Sequence, residues 1–133
     1  MIRRRRNVIW LTLFLLLAGL LAACGRSTVE IGMMETTLPG SWEASYRTFS
    51  GAKRNTFGAD AGETLVLDYK VVVDKGMLSL RVENPDGEDL WDLSLEEEAA
   101  DTVEVPLNTD GRYTIVVEGD ATGGGFDLSW ELK

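Results

Sequence analysis

Apolar and polar residues alternate along most of the chain that follows residue 41. In the last run, Phe126, Leu128 and Trp130 alternate with Asp127 and Ser129. The same period of two recurs at 42–49, 54–58, 65–73, 78–82, 91–95, 103–105 and 113–117. A period of two is typical of β-strands with one buried face. The pattern therefore predicts a domain built from strands.

Turn-forming residues separate these runs. Asp74-Lys75-Gly76, Asn84-Pro85-Asp86-Gly87 and Gly123-Gly124-Gly125 are predicted to be connections between strands, the last a flexible hairpin loop. Residues 96–101 could form one helical turn. The spacing of seven or eight short strands, without a long helix, predicts an all-β fold over 41–133, a small antiparallel β-sandwich similar to a jelly roll.

The N-terminal segment has a different pattern. Four arginines, Arg3 to Arg6, precede an uncharged apolar stretch from Val8 to Leu21. A charged head, an apolar stretch and small residues are the three parts of a secretory signal helix, here 1–23. The apolar stretch is also close to the length of a membrane-spanning helix, so length alone does not decide between the two.

The sequence Leu21-Ala22-Ala23-Cys24 decides in favour of cleavage, because it resembles the lipobox of bacterial lipoproteins at all four positions. The resemblance implies that Cys24 carries a diacylglycerol and that cleavage before it leaves 24–133 as the mature protein. We therefore expect an extracytoplasmic protein anchored by lipid in the outer leaflet of the cell membrane or in the outer membrane.

Residues 24–40 are predicted to form a flexible linker after the lipidated cysteine. The segment contains glycines, Ser, Thr and Pro39 and shows no sustained alternation, although Val29, Ile31, Met33 and Met34 could add a short edge strand. Loss of the signal removes four arginines and no acid from a chain of net charge -9, so the mature part carries about -13. Because this charge repels anionic lipid, we expect the domain to stand off the membrane on its linker. It also excludes nucleic acid as a partner.

A second resemblance covers about 47–132. It rests on Lys75-Gly76-Met77-Leu78-Ser79-Leu80-Arg81-Val82 with Asn84-Pro85-Asp86-Gly87, and on Asp110-Gly111-Arg112-Tyr113-Thr114-Ile115-Val116-Val117 with Gly125-Phe126-Asp127-Leu128. These motifs resemble the bacterial prepeptidase C-terminal domain and related jelly-roll modules. The resemblance implies a binding or accessory role. That family is usually joined to an enzyme, whereas here we expect the domain to stand alone on a lipid anchor.

The inventory of catalytic side chains favours a protein that is not an enzyme. The chain contains no histidine, which excludes Ser-His-Asp triads and His-ligated zinc. Its single thiol, Cys24, is assigned to the lipid. The acidic clusters are interpreted as solvated charge.

Two sets of residues are weak candidates for ligand binding. Asn84, Asp86, Glu88 and Asp89 crowd one turn and could supply oxygen ligands to calcium, against the alternative of ordinary turn chemistry. Trp42, at the entrance to the domain, could present an indole to a sugar, although packing in the core or at the domain edge is the favoured alternative. Trp91 and Trp130 share the apolar faces of their strands.

The sequence thus predicts a lipid-anchored envelope protein whose sandwich binds a protein or an envelope polymer without catalysis. Three alternatives stay open: a calcium-binding module, a carbohydrate-binding module, and an acidic inhibitor of a cationic hydrolase.

Overall fold

Seven antiparallel β-strands form the domain in a computed structural model that describes residues 28–133. They are β1 (Val29–Ile31), β2 (Met34–Leu38), β3 (Ser41–Ala59), β4 (Thr64–Glu83), β5 (Asp89–Leu95), β6 (Ala99–Pro106) and β7 (Gly111–Leu132). The prediction of a small antiparallel β-sandwich is confirmed. The described residues include no helix long and apolar enough to cross a membrane. The predicted signal helix and Cys24 lie outside the described residues.

Three of the strands are unusually long and take part in both layers of the sandwich. β3, β4 and β7 have 19, 20 and 22 residues, and β7 pairs with the other two over most of its length. Each long strand bends near its middle, where its register shifts. One continuous ladder is thereby folded into two layers.

The two layers are named here by the strand segments that they contain. The front layer comprises, from edge to edge, β2, 41–46 of β3, 124–132 of β7, 64–73 of β4, and β6. The back layer comprises β1, 48–59 of β3, 111–120 of β7, 77–83 of β4, and β5. Tyr69 of the front layer lies 5.9 Å from Trp91 of the back layer, measured between ring centroids, which shows that the inner faces meet.

The core lies between the layers and contains the residues that the alternating pattern predicts to be buried. Leu67, Leu80, Ile115 and Leu128 are fully buried there. Aromatic rings fill one end, where Trp42 and Phe126 meet edge to face at 5.1 Å. Burial of these apolar side chains is the main stabilising contribution, since the described residues contain no disulfide.

Two predicted turns are wrong. Asp74-Lys75-Gly76 and Gly123-Gly124-Gly125 are not loops between strands but lie inside β4 and β7, where these strands cross between the layers. Gly76 has a φ of 65°, and a Cβ there would overlap the carbonyl oxygens of Asp120 and Ala121. The glycines are therefore required because two bent backbones approach each other closely.

Two further expectations are corrected. The segments 42–49 and 54–58, predicted as separate strands, are parts of β3. Residues 96–98 form a bend before β6 instead of a helical turn.

The predicted linker is too long. Residues 29–31 and 34–38 are β1 and β2, which pair with β3, so the folded domain begins at Val29 and not at residue 41. The alternative of a short edge strand in this segment is therefore correct, and the segment supplies two such strands.

Candidate functional site

The outer face of the front layer carries a row of charged side chains across its three central strands. Asp127 of β7 pairs with Glu43 of β3 on one side and with Lys70 of β4 on the other. Residues opposite each other in a ladder point to the same side of the sheet. The two carboxylates and the ammonium group therefore project together into solvent.

The next row forms the floor of a groove. Gly125 lies between Ser45 of β3 and Val72 of β4, and because glycine has no side chain the sheet is open between them. The resulting groove has a volume of about 420 Å³, and Glu43, Lys70, Asp74 and Asp127 are among the residues that line it. We call it the front groove.

Backbone packing fixes the shape of the front groove. A Cβ on Gly125 would lie 2.5 Å from the carbonyl oxygen of Ala44, and one on Gly124 would overlap the carbonyl of Val72. Gly124 also has a φ of 124°, which L side chains rarely adopt. No larger residue fits on the floor without displacing the backbone.

The charged groups of the front groove have no partners within the described part of the chain. Glu43, Lys70, Asp74 and Asp127 are exposed and take part in none of its side-chain hydrogen bonds or ion pairs. Three carboxylates and one ammonium group are thus available to a ligand. Val72, 38% exposed, adds an apolar surface beside them.

The outer face of the back layer is different, because its charges bind each other. The Arg81 guanidinium lies 2.6 Å from Glu118, 3.5 Å from Glu83 and 3.6 Å from Asp89. The hydrogen bond to Glu118 raises the pKa of Arg81 above its ordinary value, although partial burial opposes the shift. Arg54 completes the network at 3.0 Å from Glu83.

A second hollow lies at the bend between β5 and β6, with a volume of about 500 Å³. Glu96, Glu97 and Glu98 line it together with Met77 and Leu95. Its polar side chains are three neighbouring carboxylates and the hydroxyl of Ser94, and none of its lining residues is a cation. It offers fewer complementary contacts than the front groove.

Trp42 is not available to a ligand, because the favoured alternative of core packing holds at this position. The side chain is 2% exposed, and its ring packs against Phe126 in the core. Its Nε1 donates a hydrogen bond to Glu35 Oε1 at 3.1 Å. The alternation beginning at residue 42 places this indole on the inner face of β3.

The calcium candidates lie close together at the turn before β5, but the side chains of Asn84 and Asp89 already have partners. Asn84 Oδ1 accepts hydrogen bonds from the backbone N–H groups of Asp86 and Glu88, at 3.0 and 2.8 Å. Asp89 lies in the Arg81 network. Over residues 28–133, no group of three or more acidic, histidine or cysteine side chains is arranged to hold a metal ion. The arrangement is that of a turn closed by asparagine.

The front groove was missed from the sequence. Lys70 and Asp127 were correctly placed on the outer faces of their strands, but they become neighbours only through the long-range register of β4 with β7. The glycine run 123–125, next to outward-facing charged residues, was the one signal in the sequence that indicated a groove. Because this run was interpreted as a hairpin loop, the groove was not predicted.

No protein-family model matches the chain, and no curated protein matches it. Solved structures match its fold. TmCBM61, solved in complex with β-1,4-galactotriose, is 13% identical over 76% of this chain and 86% of its own, with a TM-score of 0.50. A structure described as "CBM4 structure and function" is 12% identical over 77% and 78%, with a TM-score of 0.48. The C-terminal CBM6 of LamC from Zobellia galactanivorans is 18% identical over 78% and 96%, with a TM-score of 0.44.

At these identities the likeness concerns the fold. TmCBM61 shares the architecture of an antiparallel jelly-roll sandwich with this chain.

Proposed function

We propose that this chain is a non-catalytic carbohydrate-binding module, held at a membrane surface by lipid on Cys24, that binds a polysaccharide in the front groove. The observation that carries the proposal is the row Glu43–Asp127–Lys70, whose charged groups are unpaired within residues 28–133 and lie beside a floor of glycine. The shared fold of TmCBM61, whose structure contains a trisaccharide, supports it.

The chemistry of the front groove suits sugar hydroxyl groups. Carboxylate oxygens accept hydrogen bonds from hydroxyls, and the Lys70 ammonium donates to hydroxyl or ring oxygens. Hydrogen bonds to charged groups are stronger than those between neutral groups. Three carboxylates against one ammonium repel uronic acids, so the ligand is a neutral sugar polymer or one that carries amino groups.

Affinity for a single chain of sugar is expected to be weak. Phe126, the one aromatic residue that lines the front groove, is 2% exposed and offers no ring face for stacking. Many anchored copies that engage one polymer compensate for weak single contacts, because binding of further copies is effectively intramolecular.

Anchoring rests on the sequence Leu21-Ala22-Ala23-Cys24. Its test is to express the full chain in bacteria and to compare it with Cys24→Ser by membrane fractionation and mass spectrometry. We expect diacylglycerol on Cys24 and loss of that mass in the variant. An unmodified wild-type cysteine would contradict the anchor while leaving the groove untested by that measurement.

Binding is tested on a glycan array that includes β-1,4-galactotriose and neutral and amino-sugar polymers. Val72→Arg places a long cation in the front groove, and we expect it to abolish the signal of the wild-type chain. Ala52→Arg is the matched control, because Ala52 is an exposed strand residue of the back layer. Equal binding by both variants, or no binding by the wild type, would contradict the proposal.

A further inference from the structure

Exposed large apolar side chains are concentrated at one edge of the sandwich. Six such residues occur in 28–133, and four of them lie on β1 and β2: Met34 (76% exposed), Leu38 (59%), Ile31 (52%) and Val29 (43%). Clustering of exposed apolar residues marks a surface that contacts something else.

These residues flank a single ridge, which we call the N-terminal edge. β1 and β2 pair with successive parts of β3, so they form the same side of the back and front layers. Val29 and Ile31 lie opposite Ser50 and Thr48, on the outer face of the back layer. Met34 and Leu38 lie opposite Ser45 and Ser41, on the outer face of the front layer.

The carboxylates of the N-terminal edge are neutralised. Lys53 Nζ lies 2.9 Å from Glu30 and 2.5 Å from Glu35, the two acidic residues of 28–38. Arg47 lies beside the same edge, since a Cβ on Gly32 would be 3.2 Å from its Cγ. The edge therefore lacks the excess negative charge of the whole chain and does not repel anionic lipid.

The reach of the chain adds a geometric constraint. Only five Cα-to-Cα steps separate Cys24 from Val29, and whatever their conformation they span at most about 18 Å. A domain of about 100 residues has a radius of gyration of about 13 Å. If Cys24 is held in the bilayer, β1 therefore lies within about 18 Å of the head groups, which is less than the diameter of the domain.

We infer that the N-terminal edge rests on the bilayer, with Val29, Ile31, Met34 and Leu38 in the head-group region. This inference depends on the lipid anchor of the proposed function, and it replaces the expectation that the domain stands off on a long linker. Met34 and Ser45 are register partners, so the front groove opens beside the membrane and not away from it.

Fluorescence quenching tests this arrangement in the full, lipidated chain. Because the lipid occupies the thiol of Cys24, an introduced cysteine is the only one that can be labelled. Thr36→Cys places an environment-sensitive dye between Met34 and Leu38, and Asp92→Cys places it on β5, at the opposite edge. The proteins are reconstituted in vesicles of phosphatidylethanolamine and phosphatidylglycerol that contain a spin-labelled lipid.

We expect the dye at 36 to lose most of its fluorescence and the dye at 92 to keep it. Adding Met34→Asp and Leu38→Asp should restore the fluorescence at 36 while the protein stays in the vesicle fraction. Equal intensity at 36 and 92, quenching that survives the aspartates, or disulfide-linked dimers through position 36 would each overturn the inference. A chain that carries no lipid would contradict the proposed anchor and not the membrane contact. It is recognised by a free Cys24 thiol and by its absence from the vesicle fraction.

Discussion

The two outer faces of this sandwich share their three central strands but differ in how their charged side chains are paired. On the back face Arg81 contacts three carboxylates, and Arg54 adds a fourth ion pair. On the front face the carboxylates and Lys70 surround a groove without contacting each other. A face whose polar groups satisfy each other stabilises the fold, whereas a face whose groups remain unpaired can bind a ligand.

The difference arises from side-chain size as well as charge. Arg81 is long enough to reach neighbours on β4, β5 and β7. Arg81 and Arg54 are the register partners of Val116 on its two sides, and this outward-facing residue is fully buried. At the corresponding place in the front layer the central strand carries Gly125. The back face is therefore filled and the front face is hollow.

The largest effect on the free energy of unfolding is expected when a side chain is added to a glycine on the floor of the front groove. Gly124→Ala introduces a Cβ that overlaps the Val72 carbonyl at a φ of 124°, so we expect the free energy of unfolding to fall by at least about 3 kcal/mol. Gly58→Ala is the matched change in the back layer, where a Cβ has nothing within 4 Å, and it should change stability by no more than about 0.5 kcal/mol. Urea denaturation measures both, and similar values would show that the front glycines are not required.

The glycines at the strand bends also show which parts of the fold the sequence could predict. Inward residues such as Leu128 and Ile115 were placed correctly, because period-two alternation is a local property. The bends at 74–76 and 123–125 were interpreted as turns, because glycine clusters occur both where a chain reverses and where a long strand bends. Only the pairing of β4 with β7 across the bend separates these cases.

The front groove was less accessible to prediction than the fold. Glu43, Lys70 and Asp127 are far apart in the chain and become neighbours through two long-range registers. The sequence pointed to the indole of Trp42 as the candidate sugar contact, but this side chain is buried in the core. The location of the front groove depends on the registers of β7 with β3 and β4, which the residue types alone do not give.

The second expected effect concerns the network of the back face. Arg81→Ala removes contacts with Glu118, Glu83 and Asp89 and uncovers Val116, so we expect a loss of about 1–2 kcal/mol in the free energy of unfolding. Lys70→Ala on the front face should cost less than about 0.5 kcal/mol, because Lys70 forms no ion pair within residues 28–133.

Urea denaturation at low and high salt measures this pair of variants. The difference between them should shrink at high salt, because the contacts of Arg81 are partly exposed. An equal cost for the two substitutions would show that the two faces do not differ in internal pairing.

The smallest expected effect is on the pH dependence of stability, at the edge that joins the two faces. Partial burial raises the pKa of Glu35, but hydrogen bonds from Lys53 and Trp42 and the charge of Lys53 outweigh it, leaving the pKa below its ordinary value of 4.5. A lowered folded-state pKa stabilises the fold above pH 4.5 and loses that contribution as the pH falls below it.

Glu35→Gln should therefore weaken the decline of stability below pH 4.5, by roughly 1 kcal/mol or less. Thermal unfolding followed between neutral and acidic pH checks this. Parallel curves for the variant and the wild type would show that the contact between Glu35 and Lys53 contributes no pH-dependent stability.

Amide chemical shifts during titration with the best ligand from the glycan array test the proposal that the front face, and not the back face, binds sugar. We expect changes at Ser45, Lys70, Val72 and Asp127, with Arg81 and Glu118 unmoved. Changes centred on Arg81 and Glu118, or none on the front face at saturating sugar, would contradict it.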